Sequence, residues 1–100
     1  MQRIKMGKIS ELPPGSSLEK RILARRVAVF NVDGQLFGIE SDCKHMKASL
    51  KKGKVDGLVV TCPWHSWKYN LKTGQCLTVD KFKLKTYLVE VENGDIFVKI

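Results

Sequence analysis

Cys62-Pro63-Trp64-His65-Ser66-Trp67-Lys68-Tyr69-Asn70-Leu71-Lys72-Thr73-Gly74 is the stretch on which the reading of this chain turns. Its partner is Cys43-Lys44-His45, with sixteen residues between His45 and Cys62. The two segments hold both histidines of the protein and two of its three cysteines. A Cys-x-His and a Cys-x-x-His offer two thiolates and two imidazoles, a complete ligand set for one metal centre built from two loops. Zinc would take Cys43, His45, Cys62 and His65 on a single tetrahedral ion. A two-iron, two-sulfide centre would take the cysteines on one iron and the histidines on the other. The ligand types alone leave both metals open.

Upstream of the ligands the sequence predicts paired strands. Residues 2–9 alternate loosely and read as a first strand. Glu11-Leu12-Pro13-Pro14-Gly15-Ser16-Ser17 is a loop, since two prolines fix φ and remove two donors. Leu18, Ile22 and Leu23 could mark a helical face, but the segment is read as extended because the strand after it needs a partner. That strand, Val27 to Val32, is β-branched and aromatic. Asp33-Gly34 then joins it to Gln35-Leu36-Phe37-Gly38-Ile39 as a hairpin. The hairpin delivers the chain to Ser41-Asp42-Cys43.

Between the ligand pairs, Met46 to Lys52 reads as one helical turn. Val55 and Leu58 to Thr61 read as short strands around Asp56-Gly57. Trp67-Lys68-Tyr69 leaves the second pair as a strand, Asn70 to Gly74 turns, and Gln75 to Val79 is expected to return as another strand. Leu84 to Val91 alternates, with Leu84, Thr86, Leu88 and Glu90 on one side and Lys85, Tyr87, Val89 and Val91 on the other. Asn93-Gly94 is a second strong hairpin turn before Ile96 to Ile100. Short strands at regular spacing with glycine turns predict an all-β, antiparallel sandwich or barrel. One domain over residues 1–100 fits the length.

The net charge of +8 is concentrated. Residues 43–85 carry ten lysines against two aspartates, whereas residues 86–100 carry one lysine against three acids. The excess around the ligands is either a solvated surface or a positive docking face for an acidic partner, which would speed encounter. Nucleic acid is a poor third reading, and no such partner is expected: no arginine lies between 43 and 85, and no nucleic-acid module is recognisable. No run of eighteen apolar residues predicts a membrane span, and the N-terminus lacks the apolar core of a signal peptide. An odd cysteine count with two spent as ligands points to a reducing, cytoplasmic setting. Cys76 lies outside both motifs and reads as a buried structural thiol. With both histidines committed, no Ser-His-Asp or Cys-His arrangement remains for catalysis, and no catalytic residue is assigned.

The segment from Cys62 to Gly74 resembles the second cluster-binding loop of Rieske proteins, which carry Cys-x-His, a gap of this length, Cys-Pro-x-His, an aromatic and a Thr-Gly turn. The likeness is greatest to the small Rieske-type ferredoxins and covers nearly the whole chain. It implies a Rieske-like β-sandwich or barrel with a small two-loop cluster-binding subdomain at about 41–70. It also implies one [2Fe-2S] cluster per chain, held by Cys43, His45, Cys62 and His65. Rieske centres lie at roughly −150 to +300 mV, against about −400 mV for all-cysteine plant-type ferredoxins, because two imidazoles in place of two thiolates make the centre less negative.

The resemblance also assigns surrounding residues. Respiratory Rieske proteins carry a disulfide between the loops; the matching positions here are Ala48 and Trp64, so the disulfide is absent. Trp67 stands where high-potential members have a serine. Tyr69 stands where they have a tyrosine that donates to a ligand sulfur, and where the ferredoxins usually have phenylalanine. Ser66 replaces a usual glycine and is expected to be strained if that glycine has positive φ. Pro63 shapes the loop, and Trp64 either shields the cluster or docks a partner. The loop after Thr73-Gly74 lacks the proline that many family members have.

The implied function is that of a monomeric one-electron carrier between a reductase and an oxygenase or similar acceptor. It cannot be an oxygenase catalytic subunit alone, which needs a mononuclear iron with two further histidines. The alternatives are the small subunit of an NAD(P)H-dependent nitrite reductase or another multicomponent oxidoreductase, and a zinc-stabilised binding module.

Overall fold

The hairpin turns read from the sequence set the order of the strands. A computed structural model describes residues 2–43, 49–64 and 66–100. Among these, the chain forms β1 (Arg3–Lys8), β2 (Ser17–Ile22), β3 (Arg25–Val32), β4 (Gln35–Glu40), β5 (Lys54–Asp56), β6 (Val59–Thr61), β7 (Lys68–Asn70), β8 (Thr86–Glu92) and β9 (Asp95–Lys99). Short 3-10 turns occupy Ile9–Glu11 and Leu50–Lys52. The second covers the end of the helical turn expected over Met46 to Lys52; Met46 to Ala48 lie outside the described residues. Six strands form one antiparallel sheet in the order β1-β9-β8-β4-β3-β2, and β5-β6-β7 form a second. The outer strands of the larger sheet approach each other, with Lys20 Nζ donating to the Lys5 carbonyl at 2.9 Å, so the sheet is a nearly closed barrel. No helix among the described residues is long and apolar enough to cross a membrane.

Both turns read as tight hairpins are of that kind. Asp33 and Gly34 have φ of 53° and 91°, and Asn93 and Gly94 have 52° and 80°. A type I′ turn needs positive φ at both central positions, which Asp, Asn and Gly tolerate best. Asn31 reinforces the first turn. It is buried, accepts from the Gly34 amide at 2.8 Å, and donates to the Leu12 carbonyl at 2.8 Å, which ties the proline loop to the hairpin.

The β3–β4 hairpin is covered on both faces. Val27 and Val29 point into the barrel beside Leu12, Tyr87, Ile96 and Val98. Ala28 and Phe30 point the other way, with Ile39, and pack on Leu50, Val60, Tyr69 and Leu71 of the segment that carries the second sheet. This explains why Val27 to Phe30 read as a continuous apolar run rather than an alternation: a strand buried on both faces has no polar side. Each large side chain fully buried in these layers contributes about 1.5–3 kcal/mol. The layer between the two sheets also contains Cys43, Cys62 and Cys76.

Two expectations are corrected. Gln75 to Val79 does not form a strand; only isolated bridges, Tyr69↔Cys76 and Gln75↔Lys83, remain. The ladder breaks because the Lys68 amide donates to the Thr78 hydroxyl and the Val79 amide to Cys76 Sγ. The strand expected from Leu84 also starts two residues later, at Thr86. Leu84 is buried in the layer between the sheets and Tyr87 in the barrel, on opposite sides as the alternation expects. From there Tyr87 points in, while Thr86 and Leu88 point out.

The Thr73-Gly74 turn links the layers. Asn70 Oδ1 accepts from the Lys72 and Thr73 amides at 2.8 and 3.1 Å, and the Gly74 amide donates to the Asn70 carbonyl at 2.7 Å. Gly74 has φ of 80°, and a Cβ built there would overlap the Leu84 carbonyl oxygen. Gly74→Ala is therefore expected to destabilise the fold by about 2 kcal/mol or more, read as a lower urea midpoint with unchanged slope.

Candidate metal centre

The first loop leaves β4 at Ser41 and has a closed neck. The Ser41 amide donates to the Arg26 carbonyl and the Leu50 amide to the Ser41 carbonyl, both at 2.8 Å. Asp42 and Ser49 form a bridge across the same neck. Cys43 follows at once and is fully buried. His45 lies outside the described residues.

The second loop leaves β6 at Cys62 and returns into β7. Its neck is closed by the Cys62 amide donating to the Trp67 carbonyl at 2.6 Å. Pro63 and Trp64 form the exposed turn, with Trp64 58% exposed. His65 lies outside the described residues. Ser66 has φ of 59°, so the residue that replaces the expected glycine does occupy a left-handed conformation.

The two cysteines meet in the layer between the sheets. Both are free thiols, fully or almost fully buried. Burial pushes the Cys62 thiol up, and the neighbouring Cys43 thiol adds to this, against the opposing pull of the Trp64 amide on the sulfur. Tyr69 of β7 is fully buried, and its hydroxyl lies 3.2 Å from Cys43 Sγ. Two adjacent thiols are thus each faced by a polar donor in otherwise apolar surroundings. This arrangement suits sulfurs that become anionic on binding metal. The residues present fit a metal centre with two thiolate ligands.

The third loop is shaped without a proline. The Gln75 side-chain amide donates to the Asp80 carbonyl at 2.7 Å and to the Cys76 and Phe82 carbonyls at 3.2 and 3.1 Å. The Leu77 amide binds the Lys68 carbonyl at 2.7 Å, and Phe82 packs on Trp67 with ring centroids 5.6 Å apart. Cys76 is buried, as read, and accepts the Val79 amide. Glu19, Arg26 and Ser49 also border the site but were not legible as site residues. They come from distant parts of the chain, and only the pairing of β2 with β3 brings Glu19 near the first loop.

Comparison with known proteins decides between the metals. The family model for the Rieske [2Fe-2S] domain matches residues 2–88. The chain belongs to the Rieske [2Fe-2S] domain family. This Rieske domain is 37% identical over 92 residues to a biphenyl dioxygenase ferredoxin subunit of Pseudomonas sp. strain KKS102, covering 90% of this chain and 84% of that one. It is 38% identical to the 3-phenylpropionate/cinnamic acid dioxygenase ferredoxin subunit of Escherichia coli K12, covering 100% and 95%. Among solved structures, it matches a chain in the complex of reduced oxygenase and oxidised ferredoxin of carbazole 1,9a-dioxygenase. The TM-score is 0.88 at 33% identity, over 96% of this chain and 91% of that one. The Rieske domain carries a Rieske-type [2Fe-2S] cluster and serves electron transfer rather than bond-making catalysis. The zinc reading gives way to iron.

The left-handed Ser66 sets a measurable strain. Ser66→Gly is expected to raise stability by about 1 kcal/mol, since a left-handed non-glycine residue costs roughly that much. Differential scanning calorimetry of both proteins would read this as a higher Tm.

Proposed function

We propose that Cys43 and Cys62 hold one iron of the cluster and His45 and His65 the other, and that the protein passes single electrons from a reductase to a terminal oxygenase. The observation that supports this most directly is the pair of buried, adjacent thiols delivered by two closed loops, each beside a hydrogen-bond donor. When bound, the [2Fe-2S] group supplies a one-electron redox couple. The protein's own residues hold it and keep water from the sulfurs.

The surface near the loops suits a transient electron-transfer encounter. Trp64 and Leu77 are 58% and 53% exposed on the second and third loops. Lys54, Lys68, Lys72, Lys81 and Lys83 are exposed on the same half of the sequence. The acids of the C-terminal stretch, by contrast, are paired on the barrel: Glu90 and Glu92 with Arg3, Glu90 with Lys99, and Asp95 with Lys5. A lysine face left in solution attracts an acidic partner and speeds its approach. The proposed carrier works as a cytoplasmic monomer that meets each partner in turn. The oxygenase assignment draws on the relatives, which are ferredoxin subunits of dioxygenases.

The test joins spectroscopy to kinetics. Dithionite-reduced protein is expected to give a rhombic electron paramagnetic resonance signal of lowered average g, with two irons and two sulfides per chain. Replacing any of Cys43, His45, Cys62 or His65 by alanine should remove it. Electron transfer to a terminal oxygenase, followed by stopped flow, should slow as ionic strength rises past about 0.1 M, where surface charges are screened within about 10 Å. One zinc per chain and no signal would overturn the proposal.

Tyr69 supplies a second check. Its hydroxyl can donate to the Cys43 sulfur only while the phenol is present, and a donor to a ligand thiolate favours the more negative, reduced state. Tyr69→Phe is expected to lower the midpoint potential by on the order of 50 mV, equivalent to about 1 kcal/mol of hydrogen bonding for one electron. Protein-film voltammetry of the two proteins measures it directly.

A further inference from the structure

The neck of the first loop is held by a cluster of side chains that the ligand motifs do not include. Glu19 lies on β2, opposite Ala28 of β3. Its Oε2 accepts the hydroxyl hydrogens of Ser41, at 2.5 Å, and of Ser49. These serines stand on either side of Cys43 and His45, one where the loop leaves β4 and the other where it returns. Ser41 is fully buried. Arg26 on β3 completes the cluster: Nη1 lies 4.0 Å from Glu19 Oε1, and Nε donates to Asp42 Oδ1 at 2.6 Å while Nη2 pairs with the same oxygen. Burial alone would raise the Glu19 carboxyl, but the Ser41 and Ser49 hydroxyls, with Arg26 and Lys51, outweigh it and hold the group below its usual range.

We propose that Glu19 is a positioning residue for the cluster: its carboxylate clasps both ends of the first ligand loop and so holds Cys43 and His45 in place. This rests on the reading of those two residues as ligands. The neck is described at Ser41 to Cys43 and at Ser49 to Leu50, and each bond across it restricts the ends from which the ligand positions are carried. One carboxylate oxygen taking a hydroxyl from each side fixes the width of that neck. Charge-assisted hydrogen bonds of this kind are roughly twice as strong as neutral ones. Arg26 anchors the carboxylate to β3, whose far face lines the barrel, so the loop neck is tied to the barrel core.

The experiment compares wild type with Glu19→Ala, Glu19→Gln and Ser49→Ala. Loss of visible absorbance to an excess of the iron chelator bathophenanthroline is expected to be about tenfold faster in Glu19→Ala. Glu19→Gln, which keeps one acceptor oxygen, should fall between, as should Ser49→Ala, which removes one of the two bonds. The reduced-state resonance lines should broaden in Glu19→Ala and narrow again in Glu19→Gln. Hydrogen exchange on metal-free protein gives an arm independent of ligation. Amides in and just after the first loop, including Leu50, should exchange faster in Glu19→Ala, and those of β8 and β9 should not. If exchange quickens throughout the barrel, or the loop amides do not change, the clasp is overturned. If wild type binds no cluster while the loop amides respond as expected, the ligand reading and the positioning role toward it fail, and a clasp on the loop neck alone remains. A chelator rate in Glu19→Ala within twofold of wild type overturns the positioning role directly.

Discussion

Burial of the β3–β4 hairpin on both faces is the constraint on which the rest of the molecule depends. Val27 and Val29 fill the barrel, while Ala28 and Phe30 face the second sheet. The hairpin is therefore the floor of one core and the wall of another. The second core is where the three cysteines lie, with Tyr69 beside the Cys43 sulfur. A three-stranded sheet as short as β5-β6-β7 would be marginal in isolation. It is held because its apolar side covers a strand pair that would otherwise expose Phe30 and Ile39 to water.

The same logic explains how two loops can present sulfurs to one point. Each loop leaves a strand end and has its neck closed by hydrogen bonds, Leu50 to Ser41 in the first and Cys62 to Trp67 in the second. A closed neck fixes where each cysteine leaves its strand. Tyr69 then crosses from the second sheet to the first loop through its hydroxyl, joining the two loops through a side chain rather than through a covalent bond. The positions of the respiratory Rieske disulfide, Ala48 and Trp64, carry no cysteines, so such non-covalent links hold the loops together. Conserving the surrounding polarity also matters for the electron-transfer role, since hydrogen bonds to ligand sulfurs and exclusion of water tune a Rieske centre.

Charge is distributed by the fold in a way that suits transient partnership. The acids near the C-terminus pair with Arg3, Lys5 and Lys99 along β1, β8 and β9. Exposed pairs of this type add little stability, but they neutralise one side of the barrel. Within residues 43–85, Lys51, Lys54, Lys68, Lys72, Lys81, Lys83 and Lys85 are exposed among the described residues.

Local chemistry made much of this legible in one dimension. Asp33-Gly34 and Asn93-Gly94 announced their hairpins because only such residues accept positive φ cheaply. The pair Cys43 and Cys62 was legible because cysteines at short spacing from histidines in loops have few other uses, and Ser66 was legible as strained because a glycine was expected there. What the chain could not announce were relations between distant residues. Thr78 and Val79 have strand propensity, yet side-chain bonds from Thr78 and Cys76 break the ladder there. The alternation set Leu84 and Tyr87 on opposite sides, but only the fold decided which core each side meets. Glu19, thirty residues from Ser49, became a neighbour of the first loop only when β2 paired with β3. Turn types are set by the residues themselves, so the sequence alone determined them. Which faces are buried and which side chains meet across a neck follow from how strands pair and sheets stack, and only the tertiary structure decided them.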